Sequence, residues 1–154
     1  MTFEQRFQVG WSHLDPNVQM RNTALVDLAG NVRMAYLAAA GFSIESFARM
    51  LFGPVIHQEE LEYIRRLRLP ARIRVTLQLA GLSEDGSRFR LRNEFWSENG
   101  ALVARLTSVG GWIELRLRRL LVPPPDLVAA LRALDRTPDF ECLSPIRSKP
   151  AVAA

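Results

Sequence analysis

Lysine and cysteine are nearly absent from this chain. Lysine occurs once, as Lys149, so the other 19 of the 20 basic residues are arginine. We interpret this bias as the codon usage of a GC-rich, bacterial genome. The alternative is that some arginines bind phosphate, which a guanidinium does bidentately. The single cysteine, Cys142, cannot form a disulfide within the chain, which fits a reducing cytoplasm.

Long apolar runs and several well-known motifs are also missing. No segment is apolar over the length of a bilayer, and the first residues contain no signal-peptide core, so we expect a cytoplasmic protein without membrane contact. The arginines are dispersed, without an aromatic stacking platform or a basic tail, which argues against nucleic-acid binding. Zinc-type spacings, phosphate-binding glycine loops and nucleophile-elbow serines do not occur. His13 and His57 have no partner at ligand spacing, so we read both as ordinary surface or edge residues.

The length and the apolar content of the chain indicate one compact domain. The chain has 154 residues, 48% of them apolar, which suits one core and is too short for two ordinary domains. We place the domain at residues 1–135. Residues 136–154 are expected to be a C-terminal extension with a loose end, because the last part is rich in Ser, Pro and Ala.

The predicted elements are a strand, a buried helix and then a run of antiparallel strands. The predicted strands are 5–11, 55–67, 72–79, 88–96 and 101–122 (the last as one long strand or two), and the predicted helices are 23–41, 43–51 and one from Pro123–Pro125 to Leu134. Asn99-Gly100 predicts a hairpin, and Gly110-Gly111 predicts a bulge or a close backbone approach.

The first helix is apolar nearly all round and can be capped by Asn22 or Thr23. Because such a helix must be covered on most sides, we predict an α+β fold in which the sheet wraps the helix. The helix residues expected to be inaccessible are Leu25, Leu28, Ala29 and Val32.

Asp15 is the first candidate for chemistry. It lies in a polar loop, seven residues before Asn22 at the start of the buried helix. Unpaired N–H groups at a helix start can polarise a carbonyl oxygen, and a carboxylate beside that carbonyl can attack it or activate water. The alternative is that Asp15-Pro16-Asn17 only forms an Asx-type turn, which these residues favour.

The residues around Asp15 resemble a motif that opens hot-dog thioesterases. That motif runs Asp, any residue, Asn, Gly or Gln, His, Val, Asn, Asn after a strand ending in an aromatic residue, and Asp15, Asn17 and Asn22 match it. Similarity to bacterial acyl-CoA thioesterase-like proteins of the 4-hydroxybenzoyl-CoA thioesterase type continues through 53–55, 59–63, 79–87, Gly111-Trp112 and Pro123–Pro125, roughly residues 4 to 135 in all.

The resemblance implies a hot-dog fold, a curled antiparallel sheet around a central helix, with active sites at the interface of a homodimer or in a tetramer. It implies no metal or redox cofactor; CoA, or the pantetheine of a carrier protein, belongs to the acyl-CoA or acyl-carrier substrate. Asp15 would be the nucleophile or general base, and a backbone N–H at Asn22 would polarise the thioester carbonyl. Gln19 is a further catalytic candidate, and the candidate substrate contacts are Asn17, Thr23, Glu59, Glu60, Arg65, Arg66 and Arg68. For these glutamates and arginines, a solvated surface role is the alternative.

Four positions depart from the family's motif. Gln19 stands where the motif has His, Val18 where many members have Gly, Arg21 where Asn is common, and His13 where an acidic residue is frequent. An amide can form hydrogen bonds but cannot transfer protons near neutral pH. We expect thioester hydrolysis by Asp15, acting directly or through water. The alternative is a non-catalytic module that binds acyl-CoA or serves in an assembly; a hydratase is disfavoured because the helix region has no His–Glu pair.

Overall fold

A computed structural model describes residues 2–67 and 71–146, which form one sheet and three helices. The strands are β1 (Phe3–Val9), β2 (Phe52–Tyr63), β3 (Ala71–Ser83), β4 (Arg88–Ser97), β5 (Leu102–Glu114), β6 (Arg119–Leu120) and β7 (Arg136–Leu143). The helices are α1 (Asn22–Ala39), α2 (Ile44–Met50) and α3 (Pro125–Arg132).

The sheet follows the order β1-β3-β4-β5-β2, and these neighbours are all antiparallel. It curls around α1, so the predicted hot-dog architecture is confirmed. The register sets Val9 opposite Ala71 and Tyr63 opposite Ala104. Strands β1 and β2 therefore end, and β3 and β5 begin, at one end of the sheet. We call this the Asp15 end, because the loop that follows β1 carries Asp15.

Helix α1 supplies one side of the core. Leu25, Ala29 and Val32 have no exposed area and Leu28 is 7% exposed, as predicted from the apolar pattern. The predicted cap is wrong: Arg21 is the N-cap, no side chain caps the helix, and Asn22 is the first helical residue.

Strands β3 and β4 show the expected alternation. Ile73, Val75, Leu77 and Leu79 of β3 are buried under α1, as are Phe89, Leu91 and Phe95 of β4. The hairpin at Asn99-Gly100 is confirmed, with Gly100 at φ 82°, a backbone conformation that glycine adopts without strain.

Gly110 marks a close backbone approach, as predicted. A Cβ atom there would lie 2.1 Å from the carbonyl oxygen of Val55, so only glycine fits. The register of β2 against β5 shifts between Ile56 and Gln58, which makes His57 an extra residue in the edge strand. This bulge decides which face each later residue of β2 occupies.

Strand β7 was not predicted. It runs parallel to β3 beside residues 79–83, where β1 no longer covers that edge. The Arg92 guanidinium donates two hydrogen bonds to Asp139, at 2.6 and 2.9 Å, and Arg90 pairs with Glu141. The start of the predicted C-terminal extension is therefore part of the sheet, and residues 147–154 lie outside the described residues.

Candidate functional site

The Asp15 loop is closed by its own backbone. Leu14 and Met20 form an isolated antiparallel bridge, and the Arg21 N–H donates to the carbonyl oxygen of His13 at 2.8 Å. The Gly10 N–H donates to Nδ1 of His13 at 3.0 Å, so this histidine holds the loop. Because Met20 and Arg21 lead directly into α1, the loop brings Asp15 to the start of the helix.

One oxygen of the Asp15 carboxylate is fixed. Oδ1 accepts hydrogen bonds from the N–H of Asn17 at 2.8 Å and from the N–H of Gln19 at 3.1 Å. The Asx-type turn that we considered as the alternative is therefore present. Within the described residues, Oδ2 takes part in no hydrogen bond, and Asp15 is only half-buried. The turn thus orients the carboxylate and leaves one oxygen for a water molecule or a ligand.

Val18 at the tip of this loop has a left-handed backbone, with φ at 61°. This region is unfavourable for a β-branched residue, whereas glycine adopts it freely. With valine where many family members have glycine, the loop keeps this backbone conformation, and Val18 is strained.

The start of α1 offers two N–H groups near the loop. The Thr23 N–H donates to Oδ1 of Asn22 at 2.9 Å, but the N–H groups of Asn22 and Ala24 find no acceptor among the described residues. They lie at the positive end of the helix dipole, where they can bind a developing oxyanion. The side chains of Asn22 and Thr23 are exposed.

Tyr63 is a polar residue of the site that the sequence reasoning missed. It is the last residue of β2 and lies opposite the buried Ala104, so its side chain is on the face of the sheet that carries α1. Burial raises the pKa of the Tyr63 phenol, and the negative charge of Asp15 raises it further. Tyr63 therefore lies within electrostatic reach of Asp15, at the same end of the sheet.

The two glutamates predicted as substrate contacts lie on opposite faces. Glu59 is opposite the buried Ser108 on the helix-facing side, and Oε2 of Glu59 accepts a hydrogen bond from Oγ of Ser108 at 3.1 Å. Glu60 is opposite Thr107 and lies on the outer face. Only Glu59 therefore shares a face with Tyr63 and α1.

Arginines gather around a cavity at the Asp15 end. Arg65, Arg66 and Arg72 line a cavity of about 410 Å³ beside the β4–β5 hairpin. A neighbouring cavity of about 610 Å³ is lined in part by Arg6, Arg72 and Arg74. Arg65 and Arg66 thus line the first of these cavities shortly after the last residue of β2, whereas Arg68 lies outside the described residues. A guanidinium cluster of this kind can bind phosphate groups.

The chain belongs to the thioesterase-like superfamily, whose family comparison matches residues 9–131. No curated protein matches the chain at a significant level. No helix among the described residues is long and apolar enough to span a membrane. Within 2–67 and 71–146, no group of three or more His, Cys, Asp or Glu residues could hold a metal ion.

Solved structures share the fold at low sequence identity. A Staphylococcus aureus protein in complex with CoA has a TM-score of 0.78 and 19% identity, over 86% of this chain and 82% of that one. A 1,4-dihydroxy-2-naphthoyl-CoA thioesterase from Synechocystis has a TM-score of 0.76 and 18% identity, over 87% and 98%. A probable thioesterase from Escherichia coli has a TM-score of 0.72 and 21% identity, over 84% and 96%.

Proposed function

We propose that this protein hydrolyses the thioester of an acyl-CoA or an acyl-carrier substrate, in the manner of the 4-hydroxybenzoyl-CoA thioesterase type. One observation carries the proposal: Asp15 is held by two backbone N–H groups at the start of a buried helix, and its Oδ2 remains available. Membership of the thioesterase-like superfamily supports the reaction class.

In the proposed reaction the thioester carbonyl oxygen binds at the N–H groups of Asn22 and Ala24, which stabilise the oxyanion. If Asp15 is the nucleophile, Oδ2 attacks the carbonyl carbon, the C–S bond breaks, and the thiolate leaves and takes a proton from water. A water molecule then hydrolyses the acyl-aspartyl anhydride. If Asp15 is the general base, it removes a proton from water, and the resulting hydroxide attacks the carbonyl carbon. The C–S bond then breaks, and the leaving thiolate takes up the proton from Asp15. Gln19 orients water or substrate in both cases, because an amide transfers no proton near neutral pH.

The arginines around the cavity at the Asp15 end suit the phosphates of CoA. Arg65, Arg66 and Arg72 line a cavity at the same end of the sheet as Asp15, and in the proposed complex they bind the nucleotide portion of CoA. A structurally similar protein has been solved with CoA bound, which supports this class of ligand. We include Arg68 in this proposed cluster on sequence grounds, together with Asn17 and Thr23 as contacts near the reacting group. No metal or redox cofactor enters the reaction.

The proposed assembly is a homodimer or a tetramer built from dimers. Among the described residues, β2 pairs with β5 on one side only, which leaves the other side of a twelve-residue strand open. An open edge of this length invites pairing with another strand. Glu59 and Tyr63 on β2 would then lie next to the partner subunit.

The decisive experiment is a free-thiol release assay over a panel of acyl-CoAs, with the parent protein and Asp15→Asn. Asparagine preserves the shape but removes the charge and the basicity, so hydrolysis should fall by about two to four orders of magnitude while acyl-CoA binding is retained. Asp27→Asn, at an exposed position of α1, is the matched control and should leave hydrolysis unchanged. Gln19→Ala should have a far smaller effect than Asp15→Asn.

The second candidate function is a non-catalytic module that binds acyl-CoA. The observation that favours it is Gln19, an amide at the motif position where the family has His. Binding of acyl-CoA by the parent without thiol release would support the module, especially if Gln19→His then releases thiol. Unchanged hydrolysis in Asp15→Asn would instead move the chemistry to another carboxylate, with Glu59 next.

A further inference from the structure

Three polar side chains meet where α1 passes the edge strand β2. Oγ of Ser108 on β5 donates to Oε2 of Glu59 on β2 at 3.1 Å, and Nη1 of Arg33 on α1 donates to the same Oγ at 3.5 Å. Ser108 has no exposed area, whereas Arg33 is half-buried and Glu59 is exposed. A hydroxyl group thus bridges a cation and a carboxylate beside the open edge of β2.

The two charges retain unused hydrogen-bonding capacity. Within the described residues, the guanidinium of Arg33 donates only to Ser108, and the carboxylate of Glu59 accepts only from Ser108. Burial lowers the pKa of Arg33, and the charge of Glu59 opposes that shift. The Arg33 guanidinium is half-buried, and donors in such a position are costly when they have no acceptor.

Arg33 and Glu59 both lie well away from the Asp15 end, Arg33 along α1 and Glu59 along β2. Tyr63 and Glu59 are four residues apart on one face of β2, which corresponds to about 13 Å at a strand rise of about 3.3 Å per residue. Arg33 lies eleven residues after Asn22, about 16 Å along α1, and helix side chains lean back toward the N-terminus. The would-be Cβ of Gly30 is 3.7 Å from Nη2 of Arg33, in agreement with that lean.

The interval between the two ends is apolar. Leu61 lies between Tyr63 and Glu59 on the same face of β2 and packs against the core. An acyl chain that starts at Asp15 and follows this face would meet Leu61 first and the charged pair at its far end. We call this path, from Asp15 and Tyr63 past Leu61 to Arg33 and Glu59, the α1–β2 path.

We propose that Arg33 and Glu59 form a subsite for a hydroxyl group at the far end of the acyl chain. The inference rests on the proposed function, because it takes the reacting thioester to lie at Asp15. A hydroxyl is both donor and acceptor, so it donates to Oε1 of Glu59 and accepts from the guanidinium of Arg33. A plain methyl end offers no acceptor to the remaining donors of the Arg33 guanidinium, and a carboxylate end is repelled by Glu59.

The test compares octanoyl-, decanoyl- and dodecanoyl-CoA with their ω-hydroxy counterparts. For the chain whose length matches the α1–β2 path, the hydroxylated substrate should have a kcat/KM about 10- to 100-fold above that of the plain one, the scale expected when a partly buried polar group loses its partner. Arg33→Met and Ser108→Ala should abolish this ratio. Arg49→Met, at an exposed arginine on α2, is the matched control and should keep it.

Other results would overturn the hydroxyl subsite or the proposed function. A ratio near one in the parent, or a ratio that Arg33→Met leaves unchanged, overturns the subsite even if hydrolysis is fast. Dissociation of an oligomer by Arg33→Met with an unchanged ratio makes the trio a subunit contact and also overturns it. If the parent releases thiol from none of the six substrates and from no other acyl-CoA of the panel, the proposed function fails. The inference is then decided by calorimetric binding of the same pairs, where the hydroxyl preference must still disappear in Arg33→Met.

Discussion

The strained residue at the tip of the Asp15 loop gives a quantitative prediction. Val18 has φ at 61° and is 48% exposed. The left-handed backbone costs an L-residue roughly 1–2 kcal/mol, and Val18→Gly removes that cost. Glycine adds unfolded-state entropy worth roughly 0.4–1 kcal/mol. Loss of the half-buried side chain costs roughly another 0.7 kcal/mol, half the transfer free energy of a small apolar side chain. These contributions cancel, so the free energy of unfolding should change by less than about 0.5 kcal/mol.

The matched control is Val122→Gly. Val122 is 53% exposed, precedes a proline that confines it to extended backbone, and is not among the residues with positive φ. Glycine relieves no backbone strain at this position, but it still adds unfolded-state entropy and removes a half-buried side chain. We therefore expect the free energy of unfolding to fall by roughly 1–1.5 kcal/mol. The informative quantity is the difference between the two variants, about 1–2 kcal/mol.

Urea denaturation followed by circular dichroism measures both values, provided that the m-value stays constant across the variants. Equal destabilisation by Val18→Gly and Val122→Gly would refute the reasoning, because it would mean that the loop stores no backbone strain. A stable Val18→Gly variant should also keep the Asp15 turn, since its hydrogen bonds come from the N–H groups of Asn17 and Gln19.

Three further predictions concern the core, the acid stability and the assembly. Leu28→Asp should unfold the protein, because it puts an unpaired charge into the core under the sheet; a folded variant by circular dichroism would show that α1 is peripheral. Arg92 holds the pKa of Asp139 in the folded protein well below its ordinary value. The pair therefore stabilises the fold fully at a pH above the unfolded-state pKa of about 4, and this stabilisation is lost as the pH falls through the lower pKa of the folded state. Asp139→Asn should therefore flatten the fall in unfolding free energy between neutral and acid pH, whereas an unchanged slope would assign that fall to other groups. Sedimentation at micromolar concentration should show at least a dimer, and a monomer would contradict edge pairing through β2.

Much of the fold could be predicted because local patterns and tertiary packing agree. The alternation of Ile73, Val75, Leu77 and Leu79 describes a strand with one buried face, and that face covers α1. The end of α1 was also readable, since Gly41 follows it with φ at 96°. Strand β7 was missed because its residues carry a proline and charged side chains, and it is stabilised by partners distant in the sequence such as Arg92 and Arg90.

The candidate site could be predicted only in part. The motif located Asp15, and the loop geometry agrees with a functional carboxylate as well as with a turn. The sequence could not distinguish Glu59 from Glu60, because the extra residue His57 shifts the alternation of β2 by one and decides which glutamate faces α1. Tyr63 was missed for the same reason: its face depends on that bulge and on its pairing with Ala104.

The late position of β7 in the chain has a consequence for synthesis. Residues 136–143 leave the ribosome after every other strand, and they pair with residues 79–83 of β3, along the same edge of the sheet as β1. Until then, that stretch of β3 presents unpaired backbone groups, which can template association between nascent chains. Arg92 also lacks its ion-pair partner until Asp139 has been synthesised. A premature stop near residue 135, or a bulky C-terminal fusion that keeps β7 from pairing, would therefore leave residues 79–83 of β3 as an unpaired strand edge that can associate with other chains.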